Sequence, residues 1–174
     1  MKKYLCIYCS CQFDLGSYIP TDMKNYTISN NGKTITLTGN IGWNEAAFLK
    51  TNIREKQAYR FKVIKCDPRN SIIIGFAPVM AKFEGLMTYK FGGCNTDGRV
   101  FLKNNCIAQF EKIADGEELS MDFNSETKQV TYYKKGQRVG GYQIYGAVSC
   151  DVQPHRVRPF AQMVFPGDAL ELLD

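Results

Sequence analysis

The chain has 174 residues and a formal net charge of +5 at pH 7, which is enough length for one domain with a sizeable core. Its Lys and Arg residues are scattered, whereas a nucleic-acid-binding domain concentrates them in a stripe among aromatic residues, so we expect no nucleic-acid partner. No apolar run approaches the length of a membrane span, and the apolar stretch after Met1 is too short and interrupted for a signal peptide, so we expect no membrane association.

Seven cysteines occur without the regular spacing of a secreted disulfide scaffold, so we expect an intracellular, reducing location in the cytoplasm or nucleus. Three of them, Cys6, Cys9 and Cys11, are weak candidate zinc ligands. Tetrahedral zinc commonly takes two pairs of ligands, and no second Cys/His pair follows at a suitable spacing. We therefore expect no metal and no cofactor. The alternatives for this segment are an N-terminal strand or arm, or the edge of a truncated zinc module.

Short strands separated by turns are predicted along the first half of the chain. Asn31-Gly32 is the strongest hairpin signal, because both residues readily adopt positive φ. A continuous apolar run, Ser71–Ala77, predicts a central strand that Pro78 ends. The other strands predicted here are Tyr26–Ser29, Thr34–Thr38, Ala46–Leu49 and Ala58–Lys65.

The second half contains the clearest element, a hairpin and a further tight turn over Leu119–Gly140. Apolar and polar residues alternate in its first arm, and its second arm is rich in β-branched and aromatic residues. A closing hairpin is predicted from Arg158–Val164 and Ala169–Leu173, around a turn at Pro166–Asp168. The remaining predicted strands are Thr88–Gly92, Arg99–Leu102 and Asn105–Phe110. Short strands at regular spacing with turn signals predict an all-β sandwich.

The order of these motifs resembles the SPRY (B30.2-like) family. The resemblance covers about Tyr59 to Leu173, and two positions depart from the family pattern: Tyr59 replaces a frequent Trp, and Glu117 replaces the usual Asp after Gly. According to this resemblance, residues 1–174 form a single SPRY-like domain. It consists of an N-terminal arm (1–20), additional strands (21–58) and a core (59–174). The motifs that carry the resemblance are Tyr59-x-Phe61-x-Val63, Ile74-Gly-Phe-Ala77, Tyr89-x-Phe91-Gly92, Asp97-Gly-Arg99, Asp115-Gly-Glu117, Leu119–Phe123, Val130–Gly140, Arg158-Pro-Phe160 and Leu170–Leu173.

The resemblance implies a bent sandwich of two antiparallel sheets and a non-catalytic, monomeric module of a larger protein. It implies a protein or short peptide as partner, bound by loops at one end of the sandwich. Mapped by motif position, the partner-binding residues are Ile41, Trp43, Asn44, Met80, Phe83, Leu86, Phe165, Pro166 and Gly167. Independently of the resemblance, apolar side chains in loops are typical of recognition surfaces. The alternative is that Trp43, Phe83 and Leu86 fold inward and cap the core.

Two other functions fit the sequence less well than an interaction module. A glycosidase needs carboxyl groups roughly 5 to 9.5 Å apart, but Glu118 and Asp122 lie about 13 Å apart along one strand. The single His155 lies in a loop-like context without a local partner for a nucleophilic site, so we expect no enzyme. A carbohydrate-binding, lectin-like sandwich is the alternative function, although the sequence lacks a clear sugar-binding constellation.

Overall fold

The structure, a computed structural model, describes residues 13–14, 25–40, 46–49, 58–69, 72–78, 92–102, 105–124, 126–143 and 157–173. Two antiparallel sheets dominate these ranges, and the predicted all-β sandwich is confirmed. No helix in the described part of the chain has the length and apolar character that crossing a membrane requires.

Sheet A has the strand order β1-β4-β13-β6-β7-β8-β9, and sheet B has the order β12-β11-β10-β5-β14-β3-β2. The strands are β1 Phe13–Asp14, β2 Tyr26–Ser29, β3 Thr34–Leu37, β4 Ala47–Leu49, β5 Ala58–Lys65, β6 Ile73–Pro78, β7 Gly92–Asn95, β8 Arg99–Leu102, β9 Asn105–Gln109, β10 Glu118–Asn124, β11 Gln129–Lys134, β12 Gln137–Gln143, β13 Val157–Gln162 and β14 Ala169–Leu173.

The core lies between the two sheets and follows the alternation of the sequence. In β5 the side chains of Tyr59, Phe61 and Val63 are buried, while their neighbours face outward. Aromatic rings join the sheets, with the ring centroids of Tyr59 and Phe76 5.9 Å apart in an edge-on arrangement. Across the same space the Tyr132 hydroxyl donates to the Ile74 carbonyl oxygen at 3.1 Å, so its buried polar atom is satisfied.

The two strongest hairpin predictions are confirmed. β10 and β11 pair from Leu119 opposite Lys134 to Asn124 opposite Gln129. Lys135 and Gly136, with φ of 50° and 77°, then turn the chain into β12. The Asn31-Gly32 turn joins β2 to β3, and these two strands extend sheet B beside β14.

One described strand was not predicted over its full length. The predicted strand Thr88–Gly92 lies outside the described residues except for Gly92 and stays a prediction, whereas β7 begins at Gly92 and ends at Asn95. Its Gly-Gly start has low β-propensity, so the sequence did not favour a strand there. All four residues of this strand are nevertheless buried. The strand also packs closely against β6, because a Cβ added to Gly75 would lie 2.4 Å from the Gly92 carbonyl oxygen.

The predicted closing hairpin is wrong. β13 pairs with β4 and β6 in sheet A, whereas β14 pairs with β3 and β5 in sheet B. Residues 163–168, here called the crossing loop, therefore carry the chain from one sheet to the other. The turn at Pro166–Asp168 exists, but the strands before and after it belong to different sheets. Stacked sheets lie about 10 Å apart, a distance that a loop of this length can span.

Candidate functional site

The crossing loop is fixed by the carboxylate of Asp168, which is 1% exposed. One carboxylate oxygen, Oδ1, accepts the Asp67 backbone N–H at 2.7 Å, and the other, Oδ2, accepts the Phe165 N–H at 3.2 Å. The Gly167 N–H donates to the Leu37 carbonyl oxygen at 2.7 Å, and Gly167 has a φ of +96° that a residue with Cβ rarely adopts. The loop is thereby tied to β3 and to the turn after β5.

Two further side chains fix the neighbouring turns at this end of the sandwich. The Thr96 hydroxyl, which is fully buried, accepts the Ile72 N–H at 2.9 Å and lies 3.4 Å from the Cys66 sulfur. The Asp115 carboxylate accepts the Cys66 N–H at 2.9 Å. The Thr96 bond to Ile72 is buried and the Asp115 bond is partly buried. Bonds of this kind hold loops in a single arrangement, because an unpaired backbone group away from water is costly.

On this support lies the third predicted binding loop, at Phe165, Pro166 and Gly167. Phe165 is half-buried and Pro166 is exposed. The guanidinium of Arg69 stacks over the Phe165 ring at 4.4 Å from its centroid and makes two bonds to the Asp67 carboxylate, at 2.8 and 2.9 Å. Those bonds and the Arg69 backbone N–H lower the pKa of Asp67 to about 2. The result is an aromatic ring, a cation and a carboxylate held together at the surface.

The first predicted loop, with Ile41, Trp43 and Asn44, lies outside the described residues, but the chain on either side of it is described. Leu37 is hydrogen-bonded to the crossing loop through both its N–H and its carbonyl oxygen. After the gap, Ala47 pairs with Ala161, close to the start of the crossing loop. Both attachment points of this loop therefore lie close to the ends of the crossing loop.

The second predicted loop, with Met80, Phe83 and Leu86, also lies outside the described residues. Pro78, the last described residue before it, pairs with Val157 at the start of β13, whereas the crossing loop follows the end of β13. Its attachment point is thus at the opposite end of sheet A from Phe165. Participation of these three residues in the same surface stays a prediction.

Solved structures with the same architecture match nearly the whole chain. A human SPRY domain superimposes with a TM-score of 0.65 at 16% identity, covering 86% of this chain and 94% of that one. The TRIM65 PSpry domain gives 0.66 at 11% identity, covering 94% and 90%. Peanut lectin with a nine-residue peptide gives 0.50 at 15% identity, covering 93% and 86%. The chain has the fold of a SPRY domain. No protein-family model matches the sequence, and no curated protein is similar to it.

Within this SPRY fold, sequence reasoning missed the side chains that organise the candidate site. Asp168 falls in the predicted turn at Pro166–Asp168, and no sequence pattern distinguishes Thr96 or Arg69 from other polar residues. The only local signal is an acidic residue directly after Pro166-Gly167, which is common in ordinary turns. Their partners lie far away in sequence, with Asp67 and Asp168 separated by 101 positions, so only the assembled SPRY fold identifies them.

Other candidate residues have structural roles or lie outside the described residues. Arg158, which belongs to the motif Arg158-Pro-Phe160, is buried, and its Nε donates to the Leu49 carbonyl oxygen at 2.6 Å. Glu118 is held by Arg60 at 2.7 Å. The weak metal candidates Cys6, Cys9 and Cys11 are not described. Within the described ranges no group of three or more potential ligands is placed to hold a metal ion. Burial raises the pKa of the Cys66 and Cys94 thiols.

Proposed function

We propose that this chain is a non-catalytic interaction module that binds a protein or short peptide through loops at one end of its sandwich. We further propose that it acts as a monomeric domain of a larger intracellular protein. The observation that carries the proposal is the Asp168 carboxylate, which holds the crossing loop with Phe165 and Pro166 at the surface. A loop already ordered before binding loses less conformational entropy when a partner is bound.

The chemistry of this surface supports a peptide partner. Phe165 offers an aromatic face, Pro166 is exposed, and Arg69 presents a planar cation beside them. Aromatic residues and Arg are the side chains on which binding energy concentrates in protein interfaces. Trp43 would add a second aromatic anchor, since both attachment points of its loop adjoin the crossing loop.

Peptide selection on the purified domain tests this proposal. Peptides selected from a displayed random library are synthesised, and their Kd is measured for the wild type and for single variants. We expect Phe165→Ala and Trp43→Ala each to raise the Kd by about tenfold or more, as for other interface anchors. The melting temperature of each variant should stay near that of the wild type.

Phe101→Ala provides a matched control. Phe101 is also half-buried and lies under an Arg side chain, with the Arg99 guanidinium 5.1 Å from its ring centroid, but it belongs to β8. This variant should leave peptide affinity unchanged. Equal affinities for Phe165→Ala and the wild type would overturn the role of the crossing loop. Unfolding of Phe165→Ala would instead assign the ring to the core and would also count against the proposal.

A further inference from the structure

A groove on the outer face of sheet B is separate from the loops described above. Its register places a row of short side chains across four strands: Ala58, Asp122, Thr131 and Gly141. On the same face Asn124 and Gln129 flank this row on one side, and Ser120 and Tyr133 flank it on the other. An open groove at this place, here called the trench, has a volume of about 460 Å³ and is lined by Asp122, Phe123, Asn124, Glu126, Gln129, Thr131 and Tyr133. This volume is within the range of small-ligand sites, about 300 to 1,000 Å³.

The polar side chains of the trench make few hydrogen bonds within the described residues. The Asn124 side-chain oxygen accepts the backbone N–H groups of Glu126 and Thr127, at 2.9 and 3.0 Å, which leaves its NH₂ group as a donor. Asp122, Thr131 and Tyr133 have no side-chain hydrogen bond to any described residue. The groove therefore presents hydrogen-bonding groups that the described fold does not use.

The trench is acidic in a chain whose net charge is +5. Its charged lining residues in the described part of the chain are Asp122 and Glu126. The nearest cation on β5, Arg60, is held by Glu118 at 2.7 Å, and Arg138, opposite Tyr133 on β12, is exposed and does not line the groove. Partial burial raises the pKa of Asp122, because its charge is incompletely solvated. A cationic group would relieve this penalty.

The same fold twice places an Arg side chain between a carboxylate and an aromatic ring. Arg69 binds Asp67 and stacks over Phe165. In the second case Arg99 binds Asp97 through its Nε at 2.9 Å and lies over Phe101. The trench has the carboxylate, on Asp122, and the ring, on Tyr133, two register positions apart and therefore on the same face of paired strands. Among its described lining residues the guanidinium is the missing member of this arrangement.

We propose that the trench binds an arginine side chain of a protein or peptide partner. The guanidinium would form two parallel hydrogen bonds to the Asp122 carboxylate and stack on the Tyr133 ring. Side-chain oxygens of Gln129 and Thr131 are available for its remaining donors. Lysine fits less well, because its compact ammonium makes neither the paired bonds nor the planar stack. A neutral sugar would leave the charge of Asp122 uncompensated. This site is independent of the surface that the crossing loop forms with Phe165 and Pro166.

The test is a titration of the isotope-labelled domain, followed by backbone amide chemical shifts. The ligands are three blocked tripeptides, Gly-X-Gly, in which X is arginine, citrulline or lysine. Citrulline keeps the shape and planarity of arginine but has no charge. We expect the arginine peptide to shift the amides of Asp122, Thr131 and Tyr133 in a saturable way. The citrulline peptide should bind at least about tenfold more weakly, and lysine should lie between the two.

Two carboxylate variants sharpen the test. Asp122→Asn should abolish the preference for arginine over citrulline, while Glu118→Gln, on the same face of the same strand, should retain it. Phe165→Ala should also retain the preference for arginine. A result against peptide binding at the crossing loop can therefore be told apart from a result against arginine binding in the trench. The proposal is overturned if arginine and citrulline bind equally, if no ligand shifts these amides, or if neutral oligosaccharides from a glycan panel shift them while the arginine peptide does not.

Discussion

Two aspartates of this SPRY fold illustrate opposite uses of a carboxylate. Asp168 is almost fully buried, and its oxygens accept backbone N–H groups from two segments. Asp122 is half-buried on the outer face of sheet B and has no hydrogen-bond partner among the described residues. A carboxylate whose bonds are used within the fold stabilises it, whereas one with unused bonds is available to a ligand. The crossing loop is accordingly a fixed support, and the trench is a candidate receptor.

The largest effect is expected for Asp168→Ala. The variant leaves the N–H groups of Asp67 and Phe165 without their acceptor, so the free energy of unfolding should fall by about 3 kcal/mol. Urea denaturation measures this change. Asp115→Ala is the control: Asp115 is exposed and accepts one backbone N–H, from Cys66, so its loss should cost only about 1 kcal/mol. Equal losses for the two variants would contradict the special role given to Asp168.

A smaller, pH-dependent effect is expected for Glu117→Gln. Glu117 bonds Lys135 at 2.7 Å, Lys134 at 3.2 Å and the Ala114 N–H at 2.9 Å, and the first of these contacts contributes most to lowering its pKa from 4.5 to about 2. Because the pKa is lower in the folded state, the stabilisation is present above the unfolded value and is lost as the pH falls toward 2.

Melting temperatures of the wild type and Glu117→Gln should therefore differ near neutral pH and converge near pH 2. Lys135 carries the first contact in the folded state, so Lys135→Met should show the same convergence with a smaller gap. A difference between wild type and Glu117→Gln that stays constant from about pH 6 to about pH 2 would show that the ion pairs of Glu117 do not stabilise the fold.

The smallest effect on stability is expected for Asp122→Asn. The folded-state pKa of Asp122 is raised, so its ionised form slightly destabilises the protein at neutral pH, and the amide should leave stability unchanged or increase it by no more than about 0.5 kcal/mol. Denaturation by urea at pH 7 measures the difference. A loss comparable to that of Asp168→Ala would mean that Asp122 is a structural carboxylate and would remove the contrast between the two sites.

The strands could be predicted from the sequence because their signals are local. Alternation in β5 and β10 and the Asn31-Gly32 turn depend on neighbouring residues, and these elements form as expected. Pairing across the turn at Pro166–Asp168 could not be predicted, since a turn signal does not specify which sheet the next strand joins. The strand Gly92–Asn95 was missed because burial outweighed the poor propensity of its glycines.

The candidate sites depend even more on long-range placement. The Asp168 carboxylate accepts the N–H of a residue 101 positions away, and the trench combines side chains of β10, of β11 and of the turn between them. The inward face of the hairpin Leu119–Gly140 belongs to the core, as its alternation predicts. The groove on its outward face is not predicted by any pattern within the hairpin.

The most direct test of the central claim is an amide chemical-shift map of the domain bound to a library-selected peptide. We expect the largest shifts on residues 163–168, on Arg69 and on the segment from Leu37 to Asn40, and no shifts in the strands beneath them. Shifts that leave the crossing loop and these neighbours unperturbed while the peptide binds elsewhere would contradict the central claim.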